Sequence, residues 1–586
     1  MLQKRGHWLL AGFALALYAP TLANGLTTWD DPDYTTGSPF VAKGAAGALD
    51  AFTVAYHGAY IPLSHALLAV TGAADPSNPL PYHVVQWLVF ALAVLLMPKA
   101  LSAFGVDRTI ALAATALWLA HPFRVESVSW VANLKDTLSL FFVVAAFAAY
   151  AGERRWLSAV LFVAGLLSKA SLAPLAPLFL LLEWRRTKGT PALVSSLRWL
   201  VPSFAAGAGA ILVHRAFLPS RHATVEWVTP LTTPFWYLER TMLPSGSRAV
   251  YDWSPPTGAA IAFLVLGWVL VAAIVVMGSR KTASPLLRAL SSGAVLFLLP
   301  LLPFTGVVPQ VHVVAERYTL FPSLVLAVGV AGLLVLMLGR IGVGVVLALT
   351  VALSVPNVLR QREWKDALSL WTSNVELAPG SVIARINLAG ALGGAGRFDE
   401  AMKQLLTIRT LDPAYPGLDC FIAMARAGNE KLDPIFAVTE LGELCRLPPS
   451  QRWPVAARII ARKDASSIVV LEELAFGTDR AKASASAAAL ALEKGNHERA
   501  FSLATQARLW DPTVERAIVT QVIALLKLKR LEEARALTAT TVKDPRVAAR
   551  LLGLRGAVLN EQGNFAEAEQ LLRQSSDRLR ELGEGP

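Results

Sequence analysis

Charge is scarce in this chain of 586 residues: Asp, Glu, Lys and Arg make up 16% of it, against 54% hydrophobic residues. That excludes a disordered chain and argues against an ordinary soluble surface, for which about a quarter of residues are charged. Cysteine is nearly missing, with Cys420 and Cys445 alone. Two thiols without metal-site spacing exclude a disulfide scaffold and a cysteine-rich zinc site. They pair if that part of the chain faces an oxidising compartment, and otherwise remain two buried free thiols. There is no glycine-rich phosphate loop, no His/Cys cluster and no nucleophile elbow. Any enzyme chemistry must therefore rest on acids and bases spread over several loops.

What the chain does have is apolar runs. Mean hydropathy is +0.48, and spanning-length segments of about 20 residues, some shorter, fall near 8–26, 82–104, 109–121, 137–151, 156–170, 171–183, 194–216, 259–278, 288–302, 319–338 and 341–357. Eleven spans make this a polytopic membrane protein. The first is a retained span, since no small-residue cleavage site follows Lys4 and Arg5. With a cytoplasmic N-terminus, one side of the membrane collects 14 Lys and Arg against the three acids Asp107, Glu153 and Glu183, and the other side, to Arg360, ten cations against eleven acids. By the positive-inside rule the long loops 27–81, 122–136, 217–258 and 303–318 then lie outside, as does the C-terminus. Within the first of them, Lys43–Gly58 reads as an interfacial helix without a clean apolar stripe. The net charge of +12 divides into +10 through Arg360 and +2 beyond it, which gives no clustered basic surface for nucleic acid.

Beyond Arg360 a motif repeats. Gly396-Arg397-Phe398-Asp399-Glu400-Ala401, Gly495-Asn496-His497-Glu498-Arg499-Ala500, Lys529-Arg530-Leu531-Glu532-Glu533-Ala534 and Gly563-Asn564-Phe565-Ala566-Glu567-Ala568 begin 99, 34 and 34 residues apart. A 34-residue helix–turn–helix unit is the tetratricopeptide (TPR) signature, with a turn at the Gly or Lys and a close-packed Ala. The space between Gly396 and Gly495 fits two degenerate repeats, one turning near Gly428-Asn429, for about six in all. The expected fold is all-α: a membrane bundle over 1–360 and a TPR solenoid over 361–586.

The outside loops carry the candidate chemistry. Asp30, Asp31 and Asp33 follow the first span, where a carboxylate fits either a base or metal ligand or a solvated turn with Asp33 capping a short helix. The second loop has His121, Arg124 and Glu126, then Lys135 and Asp136; the cations fit a phosphate, or the pairs simply balance charge. Lys169 fits a snorkelling interface residue as well as a site. Glu316-Arg317-Tyr318 fits an interfacial ion pair or a second phosphate clamp, and Tyr60 and His83 flank the second span as site residues or interface anchors.

Taken in order, these motifs resemble the transmembrane-and-TPR O-mannosyltransferases and their bacterial relatives, members of the GT-C glycosyltransferases. The likeness runs through the acidic pair Asp30-Asp31, the His121…Glu126 segment with Lys135-Asp136, the Ser168-Lys169 segment, Ala315-Glu316-Arg317-Tyr318 and the repeats. Tyr251-Asp252 stands where a further loop motif lies. The resemblance implies a polyprenyl-phosphate-sugar donor, an active site at the outer membrane face and a first-loop carboxylate as base. Asp31 is slightly favoured as that base, with Asp30 orienting it or the acceptor. Arg124, Lys135, Lys169 and Arg317 would hold the donor phosphate, and His121, Glu126, Asp136, Glu316, Tyr318, Tyr60 and His83 would support them. No metal is required where cations supply the charge, although the three carboxylates leave a divalent metal as an alternative. Two departures bear on sugar or lipid choice: Ile61, where relatives often carry Arg, and Val84-Val85-Gln86, where they often show Asn and His. The expected protein is an inverting transferase of a bacterial inner membrane, its TPR domain periplasmic and holding an acceptor protein or envelope partner. The alternatives are a transferase that modifies a glycan or lipid, and a catalytically silent membrane scaffold.

Overall fold

The computed structural model describes residues 2–56, 58–187, 228–306 apart from Pro255, Thr257 and Lys281, 313–428 and 480–583, with five isolated positions between 201 and 212. Among these residues all regular structure is helical, and β pairing is limited to an isolated bridge between Tyr56 and Ala59. Six described stretches are long and apolar enough to cross a membrane: Arg5–Ala23, Pro79–Ser102, Val131–Ala151, Ala260–Gly278, Pro285–Phe304 and Arg340–Glu363. The chain is a multi-pass helical membrane protein. Four more of the eleven expected segments coincide with the shorter apolar helices Arg108–Ala120, Arg155–Ser168, Ala170–Glu183 and Pro322–Leu338. The segment 194–216 lies outside the described residues, apart from isolated positions.

The chain divides into two compact units, residues 1–391 and 392–586. In the first, α1 (Leu2–Tyr18), α2 (Pro79–Ser102), α3 (Arg108–Ala120), α4 (Leu134–Ala151) and α5 (Arg155–Ser168) form the packed core, α4 lying between α2 and α5. Local chemistry sets their starts. Asn78 accepts the Leu80 N–H ahead of α2, whose first residue is Pro79, and Asp107 accepts those of Thr109 and Ile110 ahead of α3; both are N-caps of the kind that satisfies orphan helix donors. A Cβ added at Gly165 of α5 would sit 3.0 Å from the Val143 side chain, so glycine there lets α5 and α4 approach closely. Next come α6 (Ala259–Gly278), α7 (Pro285–Leu298), α8 (Pro322–Leu338), α9 (Arg340–Glu363), α10 (Ala367–Leu377) and α11 (Val382–Gly394). Phe263, Leu266 and Leu270 of α6 are well exposed, as suits a helix facing lipid tails.

The expected interfacial helix over Lys43–Gly58 is broken. A 3-10 turn covers Val41–Ala46, with Gly44 at φ 57°, and a separate turn of helix covers Gly47–Asp50. The absence of an apolar stripe leaves nothing to hold these residues in one continuous helix.

The second unit is built of paired helices: α12 (Phe398–Leu411) with the helix Leu418–Gly428, α13 (Arg480–Glu493) with α14 (His497–Trp510), α15 (Arg516–Lys527) with α16 (Leu531–Thr538), and α17 (Pro545–Glu561) with α18 (Phe565–Glu581). The repeated motif marks the turn into α12, α14, α16 and α18. Its first residue has positive φ each time: 75° at Gly396, 78° at Gly495, 60° at Lys529 and 86° at Gly563. Its alanine, Ala401, Ala500, Ala534 or Ala568, is fully buried each time. The two degenerate repeats expected between Gly396 and Gly495 fall largely outside the described residues.

Candidate functional site

The site lies where one set of helix ends meets: the C-terminal ends of α1, α3, α5 and α9 and the N-terminal ends of α4 and α8. Buried hydrogen bonds tie them. The Tyr18 hydroxyl donates to the Leu119 carbonyl at 3.1 Å, Asn357 of α9 donates to the Tyr18 hydroxyl at 2.8 Å, and the Trp118 indole donates to the Leu320 carbonyl at 2.9 Å.

Asp30 and Asp31 have unlike surroundings. Asp31 is 1% exposed and both its oxygens are occupied. One accepts the Thr27 N–H at 2.7 Å and the Thr27 hydroxyl at 2.9 Å, and the other accepts the Ala132 N–H at 2.8 Å. It therefore buckles the first loop to the segment ahead of α4. Burial pushes its carboxyl up to about 6, against the pull of the Thr27 and Ala132 hydrogen bonds and with a further push from Asp30. Asp30 is half-buried and lies close enough to Lys135 to act on it electrostatically. The short helix here begins at Asp31, with Asp33 inside it rather than capping it.

Each of three cations has a defined setting. Arg317 pairs with Glu126, which also accepts the Arg317 backbone N–H at 2.9 Å; one carboxylate thus fixes both the residue and its side chain. Lys169 pairs with Asp136. Lys135 donates to the Ala132 carbonyl at 2.9 Å and the Tyr34 hydroxyl at 3.3 Å, and its ammonium lies 4.4 Å from the centre of the Tyr34 ring. The three act on one another electrostatically, so they form one cluster. The Arg317 and Lys169 side chains are largely buried but not sealed, 10% and 13% exposed.

Arg124 does not belong with them. It is 0% exposed, donates to the Thr319 hydroxyl at 2.6 Å and lies against the Trp118 ring. Its guanidinium is sealed inside the bundle, with Nε and Nη1 unpartnered among the described residues.

The remaining expected residues are held as follows. The His121 ring bonds to the Thr241 carbonyl at 2.9 Å and accepts the Phe123 N–H. Tyr318 stacks on Phe304 at 4.1 Å. Tyr60 donates to the Phe52 carbonyl, and His83 is buried against the backbone of Asn24 and Gly25. Glu316 is buried against Tyr251 and Arg360. At the two departures, Ile61 is 4% exposed, so no cation stands there, and the Gln86 amide donates to the Ser127 and Trp130 carbonyls at 2.7 and 2.9 Å, propping the end of the short helix Arg124–Ser129 that carries Glu126.

Sequence reasoning passed over the aromatic wall. Trp29, next to Asp30, stacks on Trp130 at 4.4 Å and meets Trp371 edge-on at 5.2 Å; Trp130 also packs on Trp364. The Arg317 guanidinium lies 5.4 Å from the Trp130 ring and 6.0 Å from that of Trp29, within cation–π range. The one signal available was position: Trp29 stands beside Asp30, Trp130 lies between Glu126 and Lys135, and Trp364 and Trp371 follow the last span.

No protein-family model matches the chain. It is similar to a protein O-mannosyl-transferase of Caenorhabditis elegans, at 23% identity over 387 residues. The match covers 61% of this chain and 54% of the relative, so the chain spans about half the length of the curated protein it matches.

Proposed function

We propose that this protein is a membrane glycosyltransferase that passes a sugar from a polyprenyl-phosphate carrier to an acceptor hydroxyl, with protein Ser or Thr as the acceptor class. The observation that carries the reading is the cluster of Lys135, Lys169 and Arg317 beside the half-buried Asp30. The distant likeness to an O-mannosyl-transferase points the same way.

The charges suit such a donor. Two of the three cations are paired with Glu126 and Asp136 and the third, Lys135, lies within electrostatic reach of Asp30; once Asp30 takes up the acceptor proton the cluster carries a surplus of one, set against the charge growing on the leaving phosphate. As the sugar–oxygen bond breaks, charge grows on the leaving phosphate, and the preorganised cations stabilise it there. Asp30 takes the proton of the acceptor hydroxyl. Attack from the face opposite the phosphate inverts the anomeric carbon. Asp31, with both oxygens engaged, positions Asp30 rather than acting as the base. The helix pairs of the second unit, read as TPR repeats, would hold the acceptor protein or an envelope partner on the periplasmic side of a bacterial inner membrane.

Asp30→Asn tests the reading. Asn keeps the size and cannot take up a proton, so folding and binding of a polyprenyl phosphate stay near normal. Turnover falls by about 10²–10⁴. Near-normal turnover in this variant would remove Asp30 as the base, and a protein that retains its cellular role without transfer activity would favour the scaffold.

A further inference from the structure

The irregular segment Arg248–Asp252 is gripped from two sides. On one side Glu316, 0% exposed, accepts the Arg248 backbone N–H and the Tyr251 hydroxyl, both at 2.7 Å, and faces the Arg360 guanidinium at 3.6 Å. On the other side a single oxygen, Oδ1 of Asn374 in α10, accepts two consecutive backbone N–H groups, Ala249 at 2.8 Å and Val250 at 3.3 Å. The Asn374 amide N–H donates to the Leu370 carbonyl at 2.7 Å, which turns the oxygen toward the strap. Two outer contacts follow the same path: Arg248 to the Leu377 carbonyl and the Ser381 hydroxyl to Asp252.

We propose that Asn374 is a positioning residue for Arg317, acting through this strap and Glu316. This rests on the reading of Arg317 as a donor-phosphate ligand. Ala249 and Val250 are each 2% exposed, so without Asn374 their N–H groups lose a partner that water cannot readily replace. The strap then loosens, and Glu316 loses two of its partners, the Arg248 N–H and the Tyr251 hydroxyl. Left with the Arg360 guanidinium at 3.6 Å as its partner, the buried carboxylate holds its turn less firmly. The next residue in that turn is Arg317, whose backbone N–H and guanidinium must both stay in register with Glu126. The strap makes the donor clamp sensitive to α10 and α11, the helices through which the chain leaves the first unit.

The test uses the full chain in detergent with undecaprenyl monophosphate as the probe. Asn374→Ala should weaken probe binding about three- to thirtyfold, the range expected for substitutions that act through a contact network. It should also raise hydrogen exchange at 245–252 and at 315–320. Asn374→Asp, which keeps an acceptor for both N–H groups but loses the N–H that the Leu370 carbonyl accepts, should restore part of the binding and protection. Glu316→Ala combined with Asn374→Ala should bind no more weakly than the worse single variant, because both cut one path. Unchanged exchange at 315–320 in Asn374→Ala, or fully additive losses, would overturn the positioning role. If Arg317→Ala binds the probe like the unmodified protein, the donor reading falls instead, and the exchange at 315–320 still decides whether Asn374 governs that turn.

Discussion

A single methylene-carboxylate, that of Asp31, closes the first loop against α4, and its ionisation has a calculable sign. Its carboxyl is raised from 3.8 to about 6 in the folded protein, so the folded state favours the protonated form. That contribution is fully present below about pH 4 and lost as pH rises through about 6. Protection of the amides of Thr27–Tyr34, corrected for intrinsic exchange, should therefore fall between pH 4 and 6 and then level off. In Asp31→Asn the profile should be flat. The amide NH2 must face a donor already pointing at it, so the variant should lose about 1–3 kcal/mol of local stability, seen as faster exchange of this segment at pH 7. An unchanged pH profile in the variant would place the titration on another group. The acidic pair was legible in the sequence, but the division of labour within it was not: which of two adjacent carboxylates turns inward depends on Thr27 and on Ala132, a hundred residues away. The same holds for Arg124 and Arg317. Both read as loop cations, and only tertiary packing seals one completely and leaves the tip of the other slightly exposed.

At the scale of the element, the helical pairs of the second unit were the most legible part, because a fixed period and a turn residue are local signals. The positive φ at all four turns gives them a testable asymmetry. Three use glycine, which adopts that conformation freely, and the fourth uses Lys529, which carries the strain already. Gly495→Ala should cost about 1–2 kcal/mol, read as lost hydrogen-exchange protection across 480–527 in the full chain. Lys529→Ala leaves the backbone as strained as before and removes only the exposed pair with Glu561, so its cost should stay below about 1 kcal/mol. Equal costs at the two positions would mean that left-handed geometry is not what the motif's glycine supplies. The interfacial segment over Lys43–Gly58 shows the opposite case. It has no period, and the sequence offered no means of seeing that it breaks at Gly44.

For the whole molecule, the sidedness read from loop charges has an independent chemical check. Cys420 is buried and disulfide-bonded, while Cys445, the chain's other cysteine, lies outside the described residues. A disulfide persists in oxidising compartments and is rare where glutathione keeps thiols reduced. Cells lysed in denaturant with a maleimide reagent should thus yield unlabelled protein, and prior reduction should expose two reactive thiols. Labelling without reduction would put the second unit in a reducing compartment and reverse the topology. The multi-pass architecture was plain from hydropathy alone; the aromatic wall of Trp29, Trp130, Trp364 and Trp371 was not, since it assembles from three stretches of sequence far apart along the chain.

The pairing of Arg317 with Glu126 and of Lys169 with Asp136 bears finally on the end of the catalytic cycle. In the proposed reaction the donor is a phosphate diester with one negative charge, and the spent carrier is a monoester approaching two at neutral pH. A pocket of three unaccompanied cations would grip the spent carrier harder than the fresh one and stall. Two resident carboxylates repel the extra charge as it appears. The site is thereby built to let its product leave; Glu126→Gln, which also loosens Arg317, should slow the first turnover and, beyond that, raise the sensitivity to inhibition by free polyprenyl phosphate.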